Sequence, residues 1–592
     1  MKRVIIGLVF FTLTATVFAS GSVIQNIEDR ELYNLNGNWH YIVDRYDFGF
    51  RSFHNKQFDQ MDEIPKAAFF VNYKVKNETE LIEYDFDLMP TFNVPGDWNS
   101  QDEKLFYYEG TVWYKKSFDY DVPRDNKRLF LHFGAANYEA HVYLNGEKLG
   151  SHKGGFTPFQ FEITGKLKEK DNFIIVRVNN RLEDNDVPSP RTDWWNYGGL
   201  TRDINIVETP ETFIKDYFIQ LDEKDSNIVS GFVQLDGPEK ANTKVTVNID
   251  RLKTGHEVKT DNNGKATFNI PVKDVTRWSP QNPFLYETSF ATNEDQVKDQ
   301  IGFRTIQTDE SKILLNGKEV FLKGICMHEE NPFKRGRSVT EENGRMLLNW
   351  AKELGCNFIR LAHYPYNEHF SRMADEMGIM LWEEIPVYWA IEFDNNETFR
   401  NASNQLKELI SRDKNRASVI IWSVANETPD SKPRQNFLTN LTDTIKAYDN
   451  TRLITAALLT NDVEGKENTK TVEDPFAEIV DILSLNNYSG WYGGGEVSDV
   501  ADIQWIIDSN KPVILSEFGA GALYGKRGTE KTRWSEEYQA NVYEQTLKMI
   551  DNMPNVSGLS PWILVDFSSP RRNLPNIQDG WNRKGLISDN GQ

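Results

Sequence analysis

Ser418-Val-Ile-Ile-Trp-Ser-Val-Ala-Asn-Glu427 is an apolar run that ends abruptly in an amide and a carboxylate. The length of the run, without polar alternation, predicts a strand buried on both faces, as in parallel sheets covered by helices. A second stretch, Lys511-Pro-Val-Ile-Leu-Ser-Glu517-Phe-Gly519, repeats the design. Either stretch alone is more commonly a strand ending in a polar cap. Inside one alternating strand and helix pattern, the two put a pair of carboxylates at the carboxyl ends of parallel strands, where an α/β barrel carries its chemistry.

The surrounding sequence supplies that pattern. After Asp309, apolar strands are predicted at 320–325, 358–361, 380–384, 419–425, 453–457, 482–485, 513–516 and 558–564. Amphipathic helices fit between most of them, for example 340–354, 367–377 and 399–415, the last ending in Lys and Arg that suit its negative pole. A C-terminal (β/α)8 TIM barrel over 308–592 is therefore expected. Little sequence remains after the eighth strand for a closing helix, which leaves the seal of that strand open to question.

Upstream the texture changes to short alternating runs divided by turn signals, such as Arg128–Phe133 and Ala140–Leu144 followed by Asn145-Gly146, a hairpin signature. A β-sandwich is expected over 20–207. A second β region, 208–307, has the length of about 100 residues typical of an immunoglobulin-like sandwich, and its expected task is to fix the first sandwich against the barrel.

A chain of 592 residues needs several cores, and 39% apolar with 12% aromatic content is enough to fill them. Met1-Lys2-Arg3, an apolar run from Val4 to Val17 and a small residue at Ala19 predict a secretory signal peptide over 1–19, and hence a periplasmic or secreted protein. That run is shorter than the ~20 residues that span a bilayer, so no membrane partner is expected. A net charge of −21 argues against nucleic acid. Cys326 and Cys356 are expected to stay unpaired. They fall at opposite ends of neighbouring strands, ~15 Å apart, against the ~7 Å a disulfide tolerates. No metal or organic cofactor is expected, since the His and carboxylate spacing forms no familiar ligand set.

Several patches resemble glycoside hydrolase family 2. In the first sandwich these are Leu35-Asn-Gly-Asn-Trp39, Val94-Pro-Gly-Asp-Trp98, Gly110-Thr-Val-Trp-Tyr114 and Asn196-Tyr-Gly-Gly-Leu-Thr-Arg202, similar to that family's jelly-roll domain. In the barrel they are Cys326-Met-His328-Glu329, Arg360-Leu-Ala-His363-Tyr-Pro365, Trp382-Glu-Glu384-Ile-Pro386 and Ser560-Pro-Trp562. The resemblance makes Glu427 the acid/base and Glu517 the nucleophile. Chemistry agrees: retaining cleavage of a glycosidic bond needs two carboxyls about 5–5.5 Å apart, one ionised and one protonated. Asn426 would hold the sugar 2-hydroxyl, and His328, His363 and Trp562 would line the site. The family places Pro directly after the acid, whereas here Thr428 intervenes and Pro429 follows, read as a change of loop.

Three patches resemble the β-glucuronidases within that family. Asn582-Arg-Lys584 is similar to their carboxylate-binding motif, with an Arg of the Arg571-Arg572 pair, Arg572 for preference, as a third contact. Asp193-Trp-Trp-Asn-Tyr197 is similar to a loop that reaches the sugar hydroxyls, and Asn486-Asn-Tyr488-Ser-Gly-Trp-Tyr492 adds Tyr488 and Tyr492. The implied activity is a retaining exo-β-glucuronidase acting on an oligosaccharide or glycoside in polysaccharide degradation. A β-galactosidase or β-galacturonidase on the same scaffold is the alternative, and a non-catalytic carbohydrate-binding protein is the alternative of another class. The short connection 386–398 after the third strand is expected to leave the mouth open, and homo-oligomer formation stays undecided.

Overall fold

The computed structural model describes residues 23–122, 126–252, 254–492 and 495–592. The expected signal peptide at 1–19 lies outside the described residues. Eight parallel strands close a barrel: β1 (Leu322–Met327), β2 (Phe358–Leu361), β3 (Met380–Glu384), β4 (Val419–Asn426), β5 (Leu453–Leu458), β6 (Leu483–Asn486), β7 (Val513–Glu517) and β8 (Val556–Leu559). Strands β2 to β7 are buried along their whole length, because their inner faces fill the barrel and their outer faces meet helices.

The barrel helices are α1 (Glu341–Glu353), α2 (Glu368–Met377), α3 (Asn396–Asp413), α4 (Lys432–Tyr448) and α5 (Glu536–Asp551). Each begins where a side-chain oxygen accepts from a free backbone N–H of the first turn, supplied by Thr340, Asn367, Asn395, Ser431 and Ser535 respectively. The Asn395 cap starts α3 at Asn396, ahead of the Phe399 expected from sequence.

Two strands, β1 and β8, differ from expectation by more than one residue at an end. β1 begins at Leu322 and runs to Met327, because Val320 N–H donates to Ile313 O as an extension of the hairpin of Lys312–Leu315 with Lys318–Glu319, outside the barrel. β8 stops at Leu559, since Pro561 has no N–H to continue a ladder. The chain beyond turns back on the barrel mouth, with Ile563 N–H donating to Lys584 O and Leu564 N–H to Cys326 O. No α-helix follows β8 among the described residues, and a groove of about 720 Å³ lined by Phe321, Leu547, Val556 and Leu559 lies outside it. The barrel is sealed regardless, because β8 pairs with both β7 and β1. Cys326 and Cys356 are free, as expected.

The first sandwich packs a six-stranded sheet on a four-stranded one, both antiparallel. In its hairpin, Asn145 and Gly146 adopt φ of 53° and 87°, the left-handed pair that a two-residue turn of this hand requires. The second sandwich has sheets of three and four strands. It meets the barrel through buried polar contacts: Arg304 donates to the Ala417 and Val419 carbonyls, Trp278 Nε1 donates to Asp375 O, and Asp299 pairs with Arg372 and Arg416.

Candidate active site

Glu427 leaves the end of β4 with φ of 50°, a left-handed conformation uncommon outside glycine that turns its side chain off the strand line. Its carboxylate accepts from Asn486 Nδ2 at 3.0 Å and from Trp389 Nε1 at 2.8 Å. Glu517, the last residue of β7, accepts from Arg360 Nη1 at 2.7 Å and from the Tyr488 hydroxyl at 2.8 Å. Burial, reinforced by the nearby Glu517 charge, holds the Glu427 carboxyl above its ordinary range. Of the two, Glu427 is therefore the better placed to hold a proton, while Glu517 faces a guanidinium.

Arg360, fully buried on β2, links Glu517 to Asn426, the residue before Glu427. Besides Glu517 it donates to both oxygens of Glu384, at 3.1 and 3.2 Å, and to Asn426 Oδ1 at 2.6 Å. Burial opposes the Glu384 charge, but Arg360 and His363 prevail and hold that carboxyl below its ordinary range. Because a guanidinium only donates, the Asn426 amide oxygen must face Arg360. Its Nδ2 is then the buried atom without a partner, which leaves a donor free for a ligand beside both glutamates.

An aromatic wall stands next to this pair. His363 bonds Glu384 at 2.7 Å and stacks on Trp562, with ring centroids 4.9 Å apart. His328 bonds the Tyr364 hydroxyl through Nδ1, and burial drives its pKa well below the ordinary value, so the ring is neutral. Its Nε2 has no partner.

The third group arrives from the first sandwich. Asp193 accepts from Ser569 Oγ at 2.6 Å and from Asn582 Nδ2 at 3.2 Å, and pairs with Arg572. Arg572, expected to contact a ligand carboxylate, is thus taken up by Asp193. Beside them Lys584 Nζ donates to the Tyr492 hydroxyl at 2.8 Å and lies over the rings of Tyr488, Trp491 and Tyr492. A cavity of about 230 Å³ opens here, lined by Tyr492, Arg533, Arg572, Asn582 and Lys584 among others.

The candidate catalytic and substrate-binding residues thus gather at the carboxyl end of the barrel. Sequence reasoning gave no role to Trp389, Tyr388 or Trp194. The connection 386–398, expected to leave the mouth open, instead carries Tyr388 against Trp194, with centroids 4.9 Å apart, and Trp389 onto Glu427. The adjacent aromatics directly after β3 were the available signal. Thr428, at the departure from the family pattern, is buried and accepts from Arg434 of α4 at 3.0 Å, so the altered loop is anchored.

Residues 306–585 match the TIM barrel domain of glycosyl hydrolases family 2, residues 32–210 its sugar binding domain, and residues 212–304 a further family 2 domain. The chain is 28% identical to a putative beta-glucuronidase of Formosa agariphila over 85% of its own length, and spans 65% of that relative. It is 28% identical to a beta-glucuronidase of Paenibacillus borealis, over 84% of this chain and 88% of the other. Among solved structures, a beta-glucuronidase of an uncultured Clostridium superposes with a TM-score of 0.80 at 27% identity, covering 95% of this chain and 96% of that one.

Proposed function

The chain belongs to glycosyl hydrolase family 2, and on that premise we propose that it is a retaining exo-β-glucuronidase removing a non-reducing-end uronic acid from an oligosaccharide or glycoside. Lys584 carries the choice of substrate. The residue is only 4% exposed, yet no carboxylate pairs with it among the described residues, and its hydrogen-bond partner is the Tyr492 hydroxyl. A buried cation without an anion is costly. A C6 carboxylate, with Asn582 as a neighbouring donor, supplies the missing charge where water is excluded.

The chemistry runs in two steps. Glu517 attacks the anomeric carbon while Glu427 gives its proton to the glycosidic oxygen, so the C1–O bond breaks and the leaving alcohol departs neutral. Arg360 and Tyr488 hold the attacking carboxylate in place. Once esterified, Glu517 no longer repels charge on Glu427, whose pKa falls so that it can take a proton from water. That water breaks the ester and restores the original anomeric configuration. The free Asn426 Nδ2 is set to bind the sugar 2-hydroxyl, a bond that strengthens as charge develops at C1.

Release of p-nitrophenol from a panel of β-glycosides tests the reading. Turnover of the glucuronide above the galacturonide, galactoside and glucoside is expected. A preference for the galactoside or galacturonide overturns the substrate class, and no turnover on any of them overturns the catalytic reading.

The same proposal includes export to the periplasm or medium, where polysaccharide breakdown would present the substrate. The basic start, short apolar run and Ala19 support it. Amino-terminal sequencing of protein made by its own host should read from Ser20; a start at Met1 would contradict export by a cleaved signal.

A further inference from the structure

On the glucuronidase reading, we infer that the natural leaving group is itself acidic: the sugar attached to the scissile oxygen bears a carboxylate or sulfate that Arg571 binds. The side of the site is fixed by Glu427. Its proton goes to the leaving oxygen, so whatever flanks the Glu427 carboxyl flanks the leaving group. Asn486 takes one carboxyl oxygen and also bonds Asn426, while Trp389 takes the other, with its indole N–H on Glu427 Oε2 at 2.8 Å. The Arg571 guanidinium lies over the Trp389 ring, 4.6 Å from the centroid.

Arg571 and Arg572 divide the two sides of the cleavage point between them. Arg572 turns to Asp193 and Asn582, the group beside Lys584 on the uronate side. Arg571, the preceding residue, turns to Trp389 on the leaving-group side. Its backbone is anchored, since Arg571 N–H donates to Ser569 Oγ at 3.3 Å and Ser569 Oγ donates to Asp193.

Arg571 is exposed, and no carboxylate pairs with it among the described residues. A protein with net charge −21 offers many acidic side chains, yet this arginine at the mouth is matched only by an aromatic face. The indole face holds the guanidinium by a cation–π contact, and the guanidinium N–H donors have no partner among the described residues, so they are available for a bidentate oxyanion. A neutral sugar offers those donors only uncharged hydroxyl oxygens, whereas a carboxylate and a sulfate present paired anionic oxygens.

Three substrates and two variants test the inference: disaccharides with a non-reducing β-glucuronosyl unit on a neutral sugar, on the same sugar carrying a sulfate, and on the corresponding uronic acid. The wild type should favour an acidic disaccharide over the neutral one by at least about tenfold in kcat/KM, as expected for a charge-assisted pair. The sulfated and carboxylated arms identify which anion is read. In Arg571→Gln the acidic-to-neutral ratio should fall to near one, and Arg571→Lys should keep part of it. Taking the ratio within each protein removes any general effect of the substitution on Glu427. A wild-type ratio near one, or a preference that survives in Arg571→Gln, overturns the inference while leaving glucuronidase activity in place. Failure to cleave any β-glucuronide, including the p-nitrophenyl compound, would instead overturn the underlying reading.

Discussion

Asp193 of the first sandwich accepts a hydrogen bond from Asn582, 389 residues later in the chain, at 3.2 Å. The site on the barrel is therefore completed by a residue from another domain. Asp193 gathers Asn582, Ser569 and Arg572 around one carboxylate, and the loop that carries it is pinned on either side. Trp195 N–H donates to Ser568 O at 3.0 Å, and Trp194 packs on Tyr388.

Removing that carboxylate leaves a largely buried guanidinium and amide without their acceptor. Asp193→Ala should lower kcat/KM on a β-glucuronide at least tenfold, the size of roughly 1.4 kcal/mol or more of lost positioning. Asp193→Asn keeps an acceptor and should lose less. Steady-state kinetics on both variants checks this; equal activity of Asp193→Ala and wild type would detach the sandwich from the site.

Lys584→Ala removes the proposed partner of the uronate. Activity on the glucuronide should fall at least tenfold, consistent with a charge-assisted bond of about 1.5–3 kcal/mol, while the slow activity on the matching glucoside holds or rises. Parallel assays of the two p-nitrophenyl glycosides separate the outcomes. An equal loss on both would mean that Lys584 supports the barrel rim.

The raised pKa of Glu427 fixes the sign of a pH effect. Cleavage needs Glu427 protonated, so kcat/KM should fall as pH rises through that raised pKa. The Trp389 N–H stabilises the charged carboxylate, so Trp389→Phe should move this basic limb to higher pH. In Glu427→Gln, assayed on a glucuronide whose leaving group needs no proton, the limb should vanish. A limb unmoved in both variants would assign it to another group.

Glu427→Ala should lose ordinary turnover but regain it with added azide, which attacks the glycosyl intermediate without a general base. The azide product should keep the β configuration by NMR. An inverted product would exchange the roles of Glu427 and Glu517.

The barrel was legible because strands buried on both faces are written as unbroken apolar runs; the predicted spans of β2 and β3 match the observed ones to the residue. The ends of β1 and β8 were not, since each depends on pairing decided elsewhere: a hairpin outside the barrel holds the Val320 N–H, and Pro561 cuts the ladder after Leu559. Glu427 and Glu517 stood out for the same reason as their strands, as polar residues closing apolar runs. Trp389 did not. Its place against Glu427 rests on a loop conformation with φ of 53°, which no local pattern announces. The partnership of Asp193 with Asn582 is a matter of domain packing; resemblance to a family pointed to each residue as a sugar contact and not to the bond between them.

The central claim is that Glu517 attacks the anomeric carbon of a β-glucuronide. A 2-deoxy-2-fluoro-glucuronosyl fluoride slows both steps but carries a leaving group good enough for the first, so the covalent intermediate should accumulate. Peptide mass spectrometry of the inactivated protein should find the fluoroglucuronosyl group on the peptide containing Glu517 and no other. A label on the Glu427 peptide, or full activity with no label after prolonged exposure, would contradict the account.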